Sequence, residues 1–377
     1  RDLGGEVTPG ADGSIDWVEV IRQHPYPDHQ LLSDLMLGYD NRSSQPWCLL
    51  LAGFNGSAAA NLHVVEKAVD KGSRNGWLTE TPTITALPMV AEPYGCAFKR
   101  HTCDPNTGTG KARLTTDRGG PRGLVDPTSG LPVANNATID VKVDHPPMKL
   151  VTVPEIRQGL AVLSAAADKL ARGIRADPSL NEAERERRVR EVGQVHMGAD
   201  DFAGFFSQLY VRHRQRSRQA MCFPRADGSL SYLVSKRVTF GGSSAPQHAQ
   251  RLTNAVLHRM QIRLLAEDRR LALEADRYER GLEGAHSFAA VLTPPALREL
   301  VDERRKLAEE RAPLYFLNGY IDDIIMASVG QARTLIMLNT LWSTCDSFNL
   351  ELAPDKAVFC TRCTVIGFEF RLRSNRF

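Results

Sequence analysis

Much is scarce in this 377-residue chain, and each scarcity removes a class of answers. Cysteine is thin and odd in number: the seven residues Cys48, Cys96, Cys103, Cys222, Cys345, Cys360 and Cys363 exclude a disulfide framework and read as an intracellular protein, cytoplasmic or nuclear. No apolar run approaches the length of a membrane span, so no membrane is expected as a partner. Charge of one sign is not in excess. A formal +3 and a pI near 8.5 permit a nucleic-acid partner without demanding one. Histidine clusters and HExxH-like spacing are lacking, which argues against a metal hydrolase. The lone CxxC at Cys360–Cys363 has no second pair, so it reads as two partly buried thiols on a strand rather than a zinc site. Arg1, with no signal-type segment, and the strand-like ending LRSNRF both read as fragment boundaries.

What the chain does have is apolar mass: 42% hydrophobic residues, enough for two or three lobes. Residues 1–55 are expected as a helical extension, with Leu31, Leu32, Leu35 and Met36 on one face of HQLLSDLMLGY. Residues 56–150, rich in Gly, Pro, Thr and Asn around the short runs YGCAFKR and GKARLTTDRGG, are expected as an irregular β lobe. Charged helices are expected near 180–192, 264–283 and 297–311, as solvated surface insertions. Leu252, Val256, Met260 and Leu264 mark an amphipathic helix. Leu335, Leu338, Leu341, Trp342, Cys345 and Phe348 form a stripe expected to face the core. LELAP, AVFCT and VIGFEFRL read as strands, so the fold class expected is α+β.

The chemistry concentrates in two acidic places. Tyr320-Ile321-Asp322-Asp323 sets adjacent carboxylates inside the apolar run LYFLNGYIDDIIMAS, where ionised groups must be solvated, paired or bound to metal. Upstream, Asp200 and Asp201 precede FAGFF. Taken alone they serve equally well as a helix N-cap, but Asp200 at a strand end beside an Asp322–Asp323 hairpin would assemble a site for two divalent ions. Mg²⁺ suits so few hard ligands. Between them, Phe240-Gly241-Gly242-Ser243-Ser244-Ala245-Pro246 is ordinary capping chemistry and also a place where backbone approaches a ligand closely.

In order, DDFAGFF, FGGSSAP, YIDD, LNLELAPDKAVF and VIGF, preceded by YGCAFKR and KARLTTDRGGP, resemble the successive motifs of a reverse transcriptase of retroelement type, gypsy-like or DIRS-like. The resemblance covers about residues 93–370 and implies a right-hand palm (151–377, with a fingers-like returning segment about 212–240 and charged insertions about 180–192 and 264–311) and fingers (56–150). No thumb is expected within the chain. It implies Asp200 and Asp322 as principal metal ligands, Asp323 as the third carboxylate and the Asp201 carbonyl as an extra ligand. It places Phe205 under the sugar, excluding a ribose 2′-OH, and Lys99, Arg100 and Arg113 on the triphosphate. Phe240 and Gly241 would line the nucleotide pocket, and Lys356 would assist pyrophosphate departure. The implied cofactor is two Mg²⁺ ions, with Mn²⁺ as a substitute, and the implied partners are an RNA template, a DNA or RNA primer and dNTP. The alternatives are a silent retroelement remnant that only binds nucleic acid, and a palm polymerase with another template preference.

Overall fold

The computed structural model describes residues 28–45, 49–81, 83, 89–98, 112–145, 147–224, 229–279, 315–366 and 368–372. The first half of the chain runs α1 His29–Leu37, β1 Leu49–Leu51, α2 Gly56–Ala59, α3 Leu62–Arg74, β2 Leu78–Thr81, β3 Met89–Ala91, β4 Tyr94–Phe98, β5 Ala112–Thr116 and α4 Val141–Asp144. Then come α5 Val153–Ala176, α6 Glu182–Val192, β6 Val195–Asp201, β7 Ala220–Pro224, β8 Leu230–Ser235 and α7 Ala245–Glu279. The last part is β9 Tyr315–Tyr320, β10 Asp323–Val329, α8 Gln331–Ser347, β11 Val358–Cys360, β12 Arg362–Val365 and β13 Phe368–Arg371. The class is α+β, as expected. No described helix is long and apolar enough to cross a membrane.

Two compact units emerge, one from Lys149–Ala203 with Leu252–Phe377, the other from Pro27–Met148 with Gly204–Arg251. The first is built on an antiparallel sheet in the order β11-β6-β10-β9, with a β12–β13 hairpin beside it in sequence. Strand residues alternate between faces. Val195 and Met197 of β6, with Ile325, Ala327 and Val329 of β10, pack against Ile156, Leu160, Leu163, Ala166 and Ala167 of α5. The opposite parity meets α8: the Thr334 hydroxyl donates to the His196 carbonyl and exchanges a hydrogen bond with Ser328. Both faces of β10 are therefore covered, and each fully buried aliphatic side chain contributes about 1.5–3 kcal/mol.

Helix α5 starts on a capping box, Thr152 with Glu155, and carries Pro154 in its first turn. Helix α6 shows the expected solvated charge pattern, Arg187 and Arg188 pairing with Glu184 and Arg187 with Glu191, while Val189 packs on Ala171 and Ile174. On α7, Leu252, Val256, Met260 and Leu264 are all buried. Gly319 of β9 lies where α7 comes closest: a Cβ there would sit 2.6 Å from Thr253 Cγ2 and 3.1 Å from Leu257 Cδ1.

The second unit carries a mixed sheet in the order β1-β3-β7-β8-β2 and the separate hairpin β4–β5. β1, β3 and β7 pair in parallel and β7, β8 and β2 antiparallel. Its core gathers Ala58, Val65, Tyr94, Cys96, Met221 and Leu233.

Several elements depart from the sequence reading. Residues 56–150 hold helices α2, α3 and α4 as well as strands. Met36 is 53% exposed, because α1 buries Leu31 instead. The charged stretch from 264 continues α7 to Glu279 rather than forming a separate helix, and 297–311 lies outside the described residues. LELAP is not a strand: Leu352 makes an isolated bridge to Phe202, after which Pro354–Lys356 turn as a 3₁₀ helix, the fixed proline φ favouring that turn. Leu335 and Trp342 are 42% and 46% exposed, whereas Leu338, Leu341, Cys345 and Phe348 are buried.

Gly319→Ala should lower stability by about 1–3 kcal/mol through overpacking, whereas Gly173→Ala, on the exposed side of α5 with open space around its Cα, should raise it by about 1 kcal/mol. Urea midpoints of the two variants check both signs.

Candidate metal centre

Strand pairing decides which carboxylates meet. β10 lies antiparallel to β6 with Asp323 opposite Asp201 and Ile324 opposite Asp200. Residues directly opposite point to the same face, so Asp201 and Asp323 share the parity of Met197 and Ile325, and Asp200 turns with Ile324 to the other face. Asp322, in the β9–β10 turn, completes the group. Carboxylate oxygens of Asp201, Asp322 and Asp323 lie within 4.8 Å of one another.

The turn is held from several sides. Ile321 has φ +54°, a conformation that β-branched residues rarely adopt. Its carbonyl accepts from the Thr253 hydroxyl on α7, and the Phe202 amide donates to the Asp322 carbonyl at 3.2 Å. The Asp201 carbonyl, expected as a metal ligand, accepts from the Ala353 amide at 2.7 Å. It is the Asp201 side chain that enters the cluster.

Like charges this close repel, and the site shows it. Burial, then the neighbouring charges of Asp322 and Asp201, push the Asp323 carboxyl up from 3.8 to about 6, against the pull of Lys356. The Lys356 ammonium pairs with Asp201 Oδ2, whereas Asp201 Oδ1 is buried with no hydrogen-bond partner. A buried carboxylate oxygen without a donor, facing two further carboxylates, fits a hard divalent cation such as Mg²⁺.

Asp200 stands apart from this group. It is 3% exposed, and its Oδ2 accepts from the Trp342 indole N–H at 2.9 Å while its Oδ1 accepts from the Asp201 amide at 2.8 Å. Burial holds its carboxyl above the usual range despite these donors. Trp342 is the residue that sequence reasoning missed: grouped with the core stripe of α8, it lies half-exposed at the margin and uses its one polar atom on Asp200.

The other predicted residues fall in the second unit or outside the described residues. Phe205 is 2% exposed. Its neighbour Phe206 is partly exposed and meets Phe240 edge-on, ring centroids 4.7 Å apart. Gly241 has φ +101°, and a Cβ there would lie 2.0 Å from the Thr116 carbonyl, so only glycine fits. Asn136 fastens this turn, donating to the Gly241 carbonyl and accepting from the Ser243 amide, each at 2.8 Å. Arg113 sits on β5 opposite Ala97. Lys99 and Arg100 lie outside the described residues.

No protein-family model matches the chain, and no curated protein matches it. Among solved structures it is similar to a foamy viral protease-reverse transcriptase dRH in complex with double-stranded DNA, at 12% identity and TM-score 0.44 over 94% of this chain and 45% of that one. Similar too are prototype foamy virus protease-reverse transcriptase as a selenomethionine-labelled CSH mutant (12%, TM-score 0.43, 95% of this chain and 35% of that one) and in native form (12%, 0.42, 89% and 29%). The chain spans less than half the length of these proteins.

Two outcomes follow from this geometry. Because the Asp323 carboxyl is raised in the folded state, the folded protein binds the extra proton between pH 3.8 and about 6, and the contribution of this group to stability falls as pH rises through that window. Mg²⁺ should therefore raise Tm more at pH 8 than at pH 5, and Asp323→Asn should flatten that difference, as differential scanning calorimetry would read. Trp342→Phe leaves Asp200 Oδ2 buried without its donor and should cost about 1–3 kcal/mol in urea denaturation.

Proposed function

We propose that the chain is a template-directed nucleotidyltransferase, an RNA-directed DNA polymerase that adds dNMP to a primer 3′-OH on an RNA template. The observation that carries this reading is the convergence of Asp201, Asp322 and Asp323, three carboxylates from two regions of sequence that resemble reverse-transcriptase motifs in the order that family uses. In this reading residues 151–377 serve as palm, apart from a fingers-like returning segment about 212–240 that belongs with the second unit, and 56–150 as fingers.

Asp201, Asp322 and Asp323 are the residues that would hold Mg²⁺, or Mn²⁺ in its place. When bound, the metal would supply Lewis-acid stabilisation of charge at the reacting phosphoryl oxygens. The protein's part is positioning, with hairpin, strand and Lys356 fixed before substrate arrives. Lys356, already beside Asp201, puts an ammonium where departing pyrophosphate needs a counter-charge. Asp200 acts through the backbone, by fixing the Asp201 amide. Moving the first ligand from Asp200 to Asp201 also moves the aromatic at the same spacing from Phe205 to Phe206. The partly exposed ring of Phe206 suits a sugar-facing role better than the buried ring of Phe205. Phe240, Gly241, Arg113, Lys99 and Arg100 keep the nucleotide-binding roles that the resemblance implies.

A second reading, a chain that binds nucleic acid without transferring nucleotides, draws on the Lys356–Asp201 pair, which already neutralises one carboxylate. Primer extension on RNA separates the two. Asp201→Asn and Asp322→Asn should each lower Mg²⁺-dependent dNTP incorporation by about 10²–10³-fold or more, with a smaller loss for Asp200→Asn. Equal incorporation by wild type and Asp201→Asn sinks the mechanism, and salt-sensitive binding with no incorporation by wild type establishes the silent reading.

A further inference from the structure

Within the second unit, the sequence Arg212-His213-Arg214-Gln215-Arg216-Ser217-Arg218-Gln219 alternates arginine with shorter polar residues, and residues 213–219 form a 3₁₀ helix. Gln215 and Gln219 are 4% and 2% exposed and root the segment. Gln215 donates to Asp40 at 2.7 Å, and Gln219 donates to the carbonyls of Ser235 and Arg237 at 3.3 and 3.2 Å. The arginines divide into two sets. Arg212 and Arg214 are neutralised by Asp40, with Asp34 at 3.6 Å from Arg212.

Arg216 and Arg237 are different. Among the described residues, neither has a carboxylate within ion-pair distance. Both are tied to one short stretch of backbone, Arg216 Nε donating to the Val211 carbonyl at 3.2 Å and Arg237 Nη1 to the Gln208 carbonyl at 3.1 Å. Between those anchors stands Tyr210, bridged to Arg237 through the backbone. The Arg237 guanidinium carbon lies 3.3 Å from the Tyr210 ring centroid, and Tyr210 is still 49% exposed. Burial, and after it the nearby positive charge of Arg216, disfavour the Arg237 charge; two guanidiniums without a carboxylate, with an open aromatic ring between their backbone anchors, call for an anion that also carries a flat apolar face.

We propose that Tyr210, Arg216 and Arg237 form a docking surface for single-stranded nucleic acid. The guanidinium forks match phosphodiester oxygens, and the open half of Tyr210 takes a base by stacking, which is tolerant of sequence. An acidic peptide would satisfy the charges but would leave the ring without a partner. The surface uses no residue of the carboxylate cluster and needs no divalent cation, so it stands or falls apart from the polymerase reading.

The test is fluorescence anisotropy of a labelled oligothymidylate and oligouridylate of about 12 nucleotides in EDTA, across a salt series. Arg216→Ala and Arg237→Ala should each weaken binding and reduce the magnitude of the logarithmic salt slope by about 0.7. Tyr210→Ala should weaken binding by roughly 5- to 150-fold with the slope unchanged, and Tyr210→Phe should bind like wild type. Arg237→Lys, which keeps the charge, should preserve the slope, so a loss that comes from misfolding is told apart by its melting curve. Binding by all variants equal to wild type overturns the proposal, as does a polyglutamate peptide that competes as tightly as the oligonucleotides. Intact oligonucleotide binding by Asp201→Asn, whatever its incorporation activity, supports a surface independent of the metal centre.

Discussion

The register of β6 against β10 is the constraint on which the candidate centre depends. With Asp323 opposite Asp201, two carboxylates from distant parts of the sequence share one face. A slip of a single residue would exchange Asp201 for Asp200 and turn every β10 side chain to the wrong helix. The slip is resisted by packing on both sides. Ile325, Ala327 and Val329 are committed to α5 and Ser328 to Thr334 of α8, so the repulsion among the aspartates cannot relax the sheet without undoing a buried core. The charge problem is therefore left to Lys356, which pairs with Asp201.

Two adjacent aspartates then serve opposite ends. Asp201 keeps one buried oxygen without a donor, whereas Asp200 has each oxygen engaged, one by Trp342 and the other by the Asp201 amide. A carboxylate that accepts from its own neighbour's N–H restricts the backbone that aims that neighbour. The inward residue thus acts as a brace for the outward one, and α8, through Trp342, is the part of the fold to which the brace is fastened.

The α+β class, the packed helix after the carboxylate hairpin and the amphipathic α7 were legible because each rests on local periodicity. The acidic pair at 322 and 323 was legible for a related reason: charge inside an apolar hairpin is costly unless something cationic answers it. The choice between Asp200 and Asp201 was not legible from the motif, since identical neighbours differ only in which face they take, and the face is set by a strand 122 residues away (323 minus 201). A trace of the answer lay in the sequence all the same. Val195, Met197 and Ala199 alternate with His196 and Gly198, and carrying that phase forward puts Asp201 with the apolar set that meets α5. Trp342 escaped because a helical stripe records apolarity and ignores the indole N–H. LELAP escaped because Pro354 ends extended pairing that its leucines favour.

The strained turn shows why the carboxylates are placed before any ligand arrives. Ile321 at φ +54° is a conformation that costs of order 1–3 kcal/mol, and it persists because its carbonyl is claimed by Thr253 and the next carbonyl by Phe202. Those two bonds come from α7 and from the end of β6, so the turn is held by the same elements that fix the register. A glycine at 321 would adopt the turn without strain but would also let it open, and Asp322 would then be free to swing away from Asp201 and Asp323. Isoleucine admits few backbone alternatives, so once the tertiary bonds force the left-handed conformation the acidic group has little freedom left to lose on binding a cation. The strain at one residue and the charge crowding at three are in this sense one arrangement, in which folding crowds the buried Asp201 against the half-buried Asp322 and Asp323.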